Sequence, residues 1–246
     1  WTDLAPSSTH LPRDSSGYHP FILADAMIIT KLVTRLVGLG FRNCIVVEIQ
    51  TDEGLAGYGE TVLKRRSKTV EQNILELGRY LAGKDPSRIE DHQEKMYRDS
   101  FWVGGPLHGS AISAVDVALW DLAGKVYGVP IYQLLGGYKR TLPAYASTYH
   151  GDENGGLSSP AAFADFALQC QEIGYPAFKI HGWGNGPIQR EGQVVLETRK
   201  RVGDRMDLMI DPACEYETWA DALRVGRACD EAGFFWLEDA YKDGGV

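Results

Sequence analysis

Residues Ala177-Phe-Lys-Ile-His181 alternate in character and end on a histidine. The shape returns twice: Asp207-Leu-Met-Ile-Asp211 ends on an aspartate, and Phe234-Phe-Trp-Leu-Glu238 on a glutamate. An earlier run, Leu142 to Ser147, has the same strand character. Between these runs the apolar residues adopt helical spacing, over Ala161 to Ile173, Gly192 to Val202 and Trp219 to Ala232. The strand ends Ser147, His181, Asp211 and Glu238 stand 34, 30 and 27 residues apart. Strands that alternate with helices at this spacing predict a parallel sheet, with an eight-fold βα barrel as its leading closure. Four such strands are present, and four more at the same spacing would need about 120 further residues.

Working back toward the N-terminus, the pattern changes at Gly136-Gly137. Ile28 to Leu36, Cys44 to Gln50 and Leu55 to Glu60 read as three short strands, separated by the turn signals Gly38/Gly40 and Asp52-Glu53-Gly54. Strands so close in sequence form an antiparallel meander. Val70, Ile74, Leu77 and Leu81 then mark one helix face over Thr69 to Ala82. Ile89 to Arg98 predicts a second helix. Ser110 to Tyr127 predicts a third, rich in small residues and stopped by Gly128-Val129-Pro130. The expected organisation is an extension over residues 1–26, an α+β domain over 27–137, and the first half of a TIM-type (β/α) barrel over 138–246.

Composition narrows the function classes. The 246 residues are 44% hydrophobic and 24% charged, as in a globular protein with a sizeable core. Net charge is -8, which argues against nucleic acid or an anionic membrane as a partner. An anionic substrate would need local positive charge, from lysines or a bound metal. Cys44, Cys170, Cys214 and Cys229 follow no metal or CxxC spacing, so four reduced thiols and a cytoplasmic location are expected. No apolar run reaches the roughly 18 residues of a membrane helix. Residues 1–26 lack the basic start and apolar core of a signal peptide.

In a βα barrel the working groups sit at the C-terminal ends of the strands. Side chains i and i+2 of a strand share a face, so Lys179 and His181 point one way and Ile180 the other. With Asp211 and Glu238 they would gather one lysine, one histidine and two carboxylates at a single mouth. Hard oxygen ligands suit Mg²⁺. A cation on a substrate carboxylate stabilises the charge left when the α-proton departs, and a neighbouring Lys or His serves as base or clamp. Taken singly, each residue has an ordinary explanation: a helix cap, a turn, a snorkelling lysine or a structural histidine. Their common place in a 30-residue period favours a site. Tyr149 and His150, just after the first barrel strand, could reach the same mouth. Gly182-Trp183-Gly184-Asn185-Gly186 lacks phosphate-loop spacing and is read as a mobile loop.

Lys179-Ile-His181, Ile210-Asp211-Pro-Ala and Trp236-Leu-Glu238-Asp239 resemble the enolase superfamily, mandelate racemase branch. Thr51-Asp-Glu-Gly54, Gly57-Tyr-Gly-Glu60, Lys84-Asp-Pro-Ser-Arg88, Ser113 to Asp121 and Pro130 to Gly137 follow in family order, so the resemblance covers residues 27–246. It implies that the α+β half is a capping domain that closes over the barrel mouth, a lid that Phe101-Trp102-Val103-Gly104-Gly105-Pro106 could line. It implies that Asp211 and Glu238 are two of three Mg²⁺ ligands and that Lys179 contacts the substrate carboxylate. His181 stands where the family often has a second lysine as base. The third ligand would fall near position 264, so the resemblance implies a fragment that turns over no acid sugar by itself. The implied activity is that of an acid-sugar dehydratase of the galactonate or mannonate type, a lyase of carbohydrate catabolism. A racemase or epimerase using the same chemistry, and a silent truncated product, are the alternatives. Ala213 replaces the histidine that galactonate dehydratases carry two residues past the aspartate. Expected partners are a small-molecule acid sugar and further copies of the chain in a homo-oligomer, with no nucleic acid and no membrane.

Overall fold

A computed structural model describes residues 27–40, 42–99, 101–139, 141–151, 156–183 and 186–241. The expected extension over 1–26 lies outside them. The chain divides into two compact units, Trp1–Tyr138 and Lys139–Val246.

The first unit begins with β1 (Ile29–Gly38), β2 (Asn43–Thr51) and β3 (Ala56–Thr61), an antiparallel meander in which β2 is central. Gly40 and Gly54 take the positive φ that the two connecting turns need. Helices α1 (Ser67–Leu81), α2 (Ile89–Arg98), α3 (Pro106–Tyr127) and the short α4 (Ile131–Leu134) follow. Ile45, Val47 and Ile49 alternate along β2 and are fully buried against Val70, Ile74 and Leu81 of α1 and Ala114, Val115 and Leu119 of α3. Gly57 and Gly59 let β3 approach α3 closely. A Cβ at Gly59 would lie 2.0 Å from the Ala114 carbonyl oxygen, and one at Gly57 2.1 Å from that of Ala118. The third helix starts four residues earlier than its apolar pattern suggests. Pro106 at its first turn needs no hydrogen-bond acceptor and already has helical φ. It ends where expected, at Gly128 in the left-handed conformation.

In the second unit, β4 (Tyr145–Ser147), β5 (Ala177–Ile180), β6 (Asp207–Ile210) and β7 (Trp236–Leu237) form one parallel sheet in sequence order, the start of a barrel. Helices α5 (Pro160–Ile173), α6 (Ile188–Val202) and α7 (Trp219–Glu231) connect them. Phe178, Ile180, Leu208 and Ile210 belong to the core built with Phe163, Val194, Val195 and Val225. Lys179 and Met209 occupy the alternate positions. Ser159 and Thr218 cap α5 and α7, each hydroxyl accepting a backbone N–H at 3.2 Å. Arg199 donates to the carbonyls of Ala232, Gly203, Met206 and Gly233 at 2.7–3.0 Å, joining α6 to the chain leading into β6 and to the end of α7. The strands are shorter than the sequence pattern predicts. Leu142 is 71% exposed, and β5, β6 and β7 stop one residue before His181, Asp211 and Glu238. The ladder nevertheless continues: the Asp211 N–H donates to the Ile180 carbonyl at 2.8 Å and the Glu238 N–H to that of Ile210 at 2.9 Å. All four cysteines are free thiols. No helix among the described residues is long and apolar enough to cross a membrane.

Candidate active site

Because the strands are parallel and in register, their C-terminal ends meet. The Lys179 ammonium, buried with its stem on β5, donates to Asp211 Oδ2 at 3.0 Å and to Glu238 Oε2 at 3.2 Å. It also lies 5.5 Å from the ring centre of Tyr145 on β4. His181 Nε2 stands 3.0 Å from the same Asp211 Oδ2. The second Asp211 oxygen accepts the Ala213 N–H at 2.9 Å, and the Trp236 indole donates to Glu238 Oε2 at 3.0 Å. The four sequence-predicted residues thus form one cluster, in which Lys179 is hydrogen-bonded to Asp211 and Glu238 and His181 stands beside Asp211.

The charges follow from these contacts. Burial works against the Asp211 carboxylate, but the hydrogen bonds from Lys179 and the Ala213 N–H outweigh it and hold Asp211 below the usual carboxylate range. Burial likewise works against the Lys179 ammonium, and the bonds to Asp211 and Glu238 overcome it, so Lys179 rises above the ordinary lysine value. For His181 burial wins over the attraction of Asp211, and its imidazole is held low, hence neutral near pH 7. A neutral ring whose Nε2–H is directed at Asp211 carries its lone pair on Nδ1. That atom is buried and has no hydrogen-bond partner among the described residues.

Three further residues join the cluster without having been singled out from the sequence. Thr148 extends the end of β4: its N–H donates to the Lys179 carbonyl at 3.1 Å, and its hydroxyl accepts the His181 N–H at 2.8 Å. The Asp239 carboxylate joins Asp211 and Glu238, with ligand oxygens of all three within 4.8 Å of one another. Sequence reasoning passes over Asp239 because an acidic pair after a strand so often merely starts a helix. Glu215 lies 3.7 Å from His150 Nε2. Ala213, Cys214 and Asp239, in the two loops beside the carboxylates, all adopt positive φ without being glycine. Such backbone is maintained only where its surroundings over-determine it. Here the Cys214 N–H donates to the Asp239 carbonyl, and the Tyr216 N–H to that of Ala240 at 3.1 Å.

The residues expected to contact substrate divide. His150 is drawn in: its ring meets that of His181 edge to face at 5.6 Å, and Nδ1 is 3.3 Å from the Gly182 carbonyl oxygen. Tyr149 is 73% exposed. Trp102 belongs to the first unit, 83% exposed and edge to face with Phe101 at 5.1 Å. There it lines a hollow of about 430 Å³ with Tyr80, Met96 and His108. The described part of the glycine-rich stretch is packed: Gly182 and Trp183 are buried, and the Trp183 ring contacts Phe163 and Arg190. Its glycines make room for side chains, which a reading of the loop by itself cannot reveal.

The donor set is chemically suited to a hard divalent cation, since three carboxylates stand together beside a neutral imidazole. Comparison with known proteins points the same way. Residues 22–136 match the family described as mandelate racemase / muconate lactonizing enzyme, N-terminal domain. Residues 162–244 match the enolase C-terminal domain-like family. A D-galactonate dehydratase of Pectobacterium atrosepticum is 38% identical over 192 residues, 75% of this chain and 48% of that protein. The chain therefore spans about half the length of this curated relative. An enolase from Pantoea ananatis, solved with bound D-gluconate and Mg, superimposes with a TM-score of 0.76 at 26% identity, over 89% of this chain and 61% of that one. D-glucarate dehydratase from Agrobacterium tumefaciens, complexed with magnesium, gives 0.72 at 26% identity, over 88% and 62%.

Proposed function

This chain belongs to the mandelate racemase / muconate lactonizing enzyme family, and on that premise we propose that its strand-end cluster serves a Mg²⁺-dependent acid-sugar dehydratase. Such a hydro-lyase removes the proton α to a carboxylate and then releases the β-hydroxyl as water. The observation that carries the reading is the convergence of Lys179, His181, Asp211 and Glu238 from three successive strand ends. The named activity of the 38%-identical relative supports the substrate class.

Asp211 and Glu238 would hold the cation, with Asp239 beside them. When bound, Mg²⁺ draws electron density from the substrate carboxylate and makes the neighbouring α-proton easier to remove. Lys179 stays charged, because both its carboxylate partners favour the ammonium, so it acts as a clamp on the substrate's negative charge. His181 is the neutral group of the cluster and is assigned the proton. With Nε2 facing Asp211, Nδ1 is the atom left to accept the proton, and the ring must turn to present that buried atom. His150, packed edge-on against His181, limits where the ring can turn.

The test uses the chain itself and Mn²⁺ as a spectroscopic substitute. Saturable Mn²⁺ binding, followed by electron paramagnetic resonance, is expected to weaken at least about tenfold in Asp211→Asn and in Glu238→Gln. Binding that neither variant changes rejects these residues as ligands. D-gluconate is expected to alter the bound Mn²⁺ spectrum, and the uncharged sugar alcohol to leave it alone. Equal responses remove the acid-sugar assignment.

A further inference from the structure

Beneath the site lies a carboxylate that the chemistry above does not use. Glu191, on the first turn of α6, is 1% exposed. Its Oε1 accepts the Trp183 N–H at 2.7 Å. The carboxylate also fills the space that a side chain on residue 182 would need, since a Cβ there would stand 1.7 Å from Oε2 and 2.5 Å from Cδ. Gly182 has no positive φ, so glycine is required here for room and not for conformation. A buried carboxylate is costly unless bonded, and a helix N-terminus lowers that cost. After burial itself, the Glu191 charge also raises the phenol of Tyr216 nearby.

The segment held by Glu191 follows directly on His181. The Gly182 carbonyl accepts the Gly151 N–H at 3.0 Å and faces His150 Nδ1 at 3.3 Å. The Trp183 ring packs close to Gly151, where an added Cβ would meet its Nε1 at 2.3 Å. Fixing residues 182–183 therefore fixes both the exit of β5, which sets His181, and the exit of β4, which sets His150.

We infer that Glu191 is a positioning residue: its buried carboxylate latches the Gly182–Trp183 backbone and so sets the orientation of the His181 and His150 imidazoles. The consequence for catalysis rests on the reading of His181 as part of the working site; the latch itself does not.

The experiment compares Glu191→Ala, Glu191→Gln and Gly182→Ala by ¹H–¹⁵N spectra of the histidine rings and by amide exchange at Trp183. Loss of a hydrogen bond to a charged acceptor is expected to speed Trp183 exchange about ten- to a hundredfold in Glu191→Ala. The His181 and His150 ring signals are expected to move with it. Glu191→Gln keeps an acceptor oxygen and is expected to retain wild-type ring signals, a rescue that simple loss of stability would not give. Unmoved ring signals in folded Glu191→Ala overturn the inference, as do signals displaced equally by Gln and Ala. If Glu191→Ala does not fold, Gly182→Ala decides: its methyl evicts the flexible carboxylate end, so ring signals must shift, and unchanged signals overturn the latch. Failure of wild-type chain to bind Mn²⁺ would reject the proposed function while leaving these spectra interpretable.

Discussion

Gly59 in the first unit and Gly182 in the second are both glycines that admit a close neighbour, and the neighbours differ in kind. At Gly59 it is main chain, the Ala114 carbonyl of a 22-residue helix. At Gly182 it is the tip of one side chain, the Glu191 carboxylate. Backbone within a packed helix cannot step aside without moving the whole layer, whereas a carboxylate can rotate about its own bonds. The first contact therefore supports the fold, and the second adjusts a site on a fold that already stands.

The largest expected effect tests that contrast most directly. Gly59→Ala should destabilise the first unit by about 3 kcal/mol or more, at or above the upper end of ordinary overpacking, because β3 and α3 must separate. A urea titration showing a loss under about 1 kcal/mol would mean that the layer yields and that the two glycines are alike.

Next comes the paired charge in the second unit. Lys179→Met removes the shared partner of Asp211 and Glu238. Asp211 is 11% exposed as a side chain and should account for most of a loss of about 3 kcal/mol. Glu238, 40% exposed, adds little because water screens it. The variant should melt earlier while the first unit's transition stays in place. Concerted loss of both transitions would contradict the separation.

The pH profile is smaller and has a definite sign. Asp211 lies below its ordinary value, so its stabilisation is present above about pH 3.9 and is lost as pH falls through the folded value. His181 is also lowered, and the unfolded state takes up its proton first. Stability thus begins to fall as pH drops below about 6.5. Lys179 is raised, so its contribution is complete below about pH 10.4 and is lost as pH rises through the folded value. Thermal melts should show a plateau between neutral and mildly alkaline pH, with a slope on the acid side below about 1.4 kcal/mol per unit per group. His181→Gln should flatten the portion that begins near pH 6.5. An unchanged slope would show that His181 is not the group responsible.

The smallest change in stability is expected for Gly182→Ala, within about 1 kcal/mol by chemical denaturation, because the obstructing atoms can move. A loss as large as that of Gly59→Ala would erase the distinction between scaffold and adjustable contact.

These differences also set the limits of what could be read from the chain alone. The 30-residue period made the parallel strands and the placement of Lys179, His181, Asp211 and Glu238 legible, because alternation and strand-end position are local properties. The helix start at Pro106 was legible only to a residue-specific rule, since its first turn carries no apolar stripe. Thr148 and Glu191 gave no local signal. A threonine after a strand and a glutamate in the first turn of a helix are commonplace, and each acquires a role only from residues 33 and 8 positions away. The glycines of 182–186 suggested mobility because glycine is permissive, whereas Gly182 is buried against a side chain.

Local pattern thus determined that strands and helices would alternate after residue 137, that a meander and helices would precede them, and which acidic and basic side chains would stand at strand ends. Tertiary structure decided how those ends share protons and charge. One ammonium serves two carboxylates, and one imidazole is neutral with its Nε2 turned to Asp211. A third carboxylate arrives through a strained loop. Such properties depend on distances between residues remote in sequence and on the water excluded around them, and neither is encoded in the periodicity of a single strand.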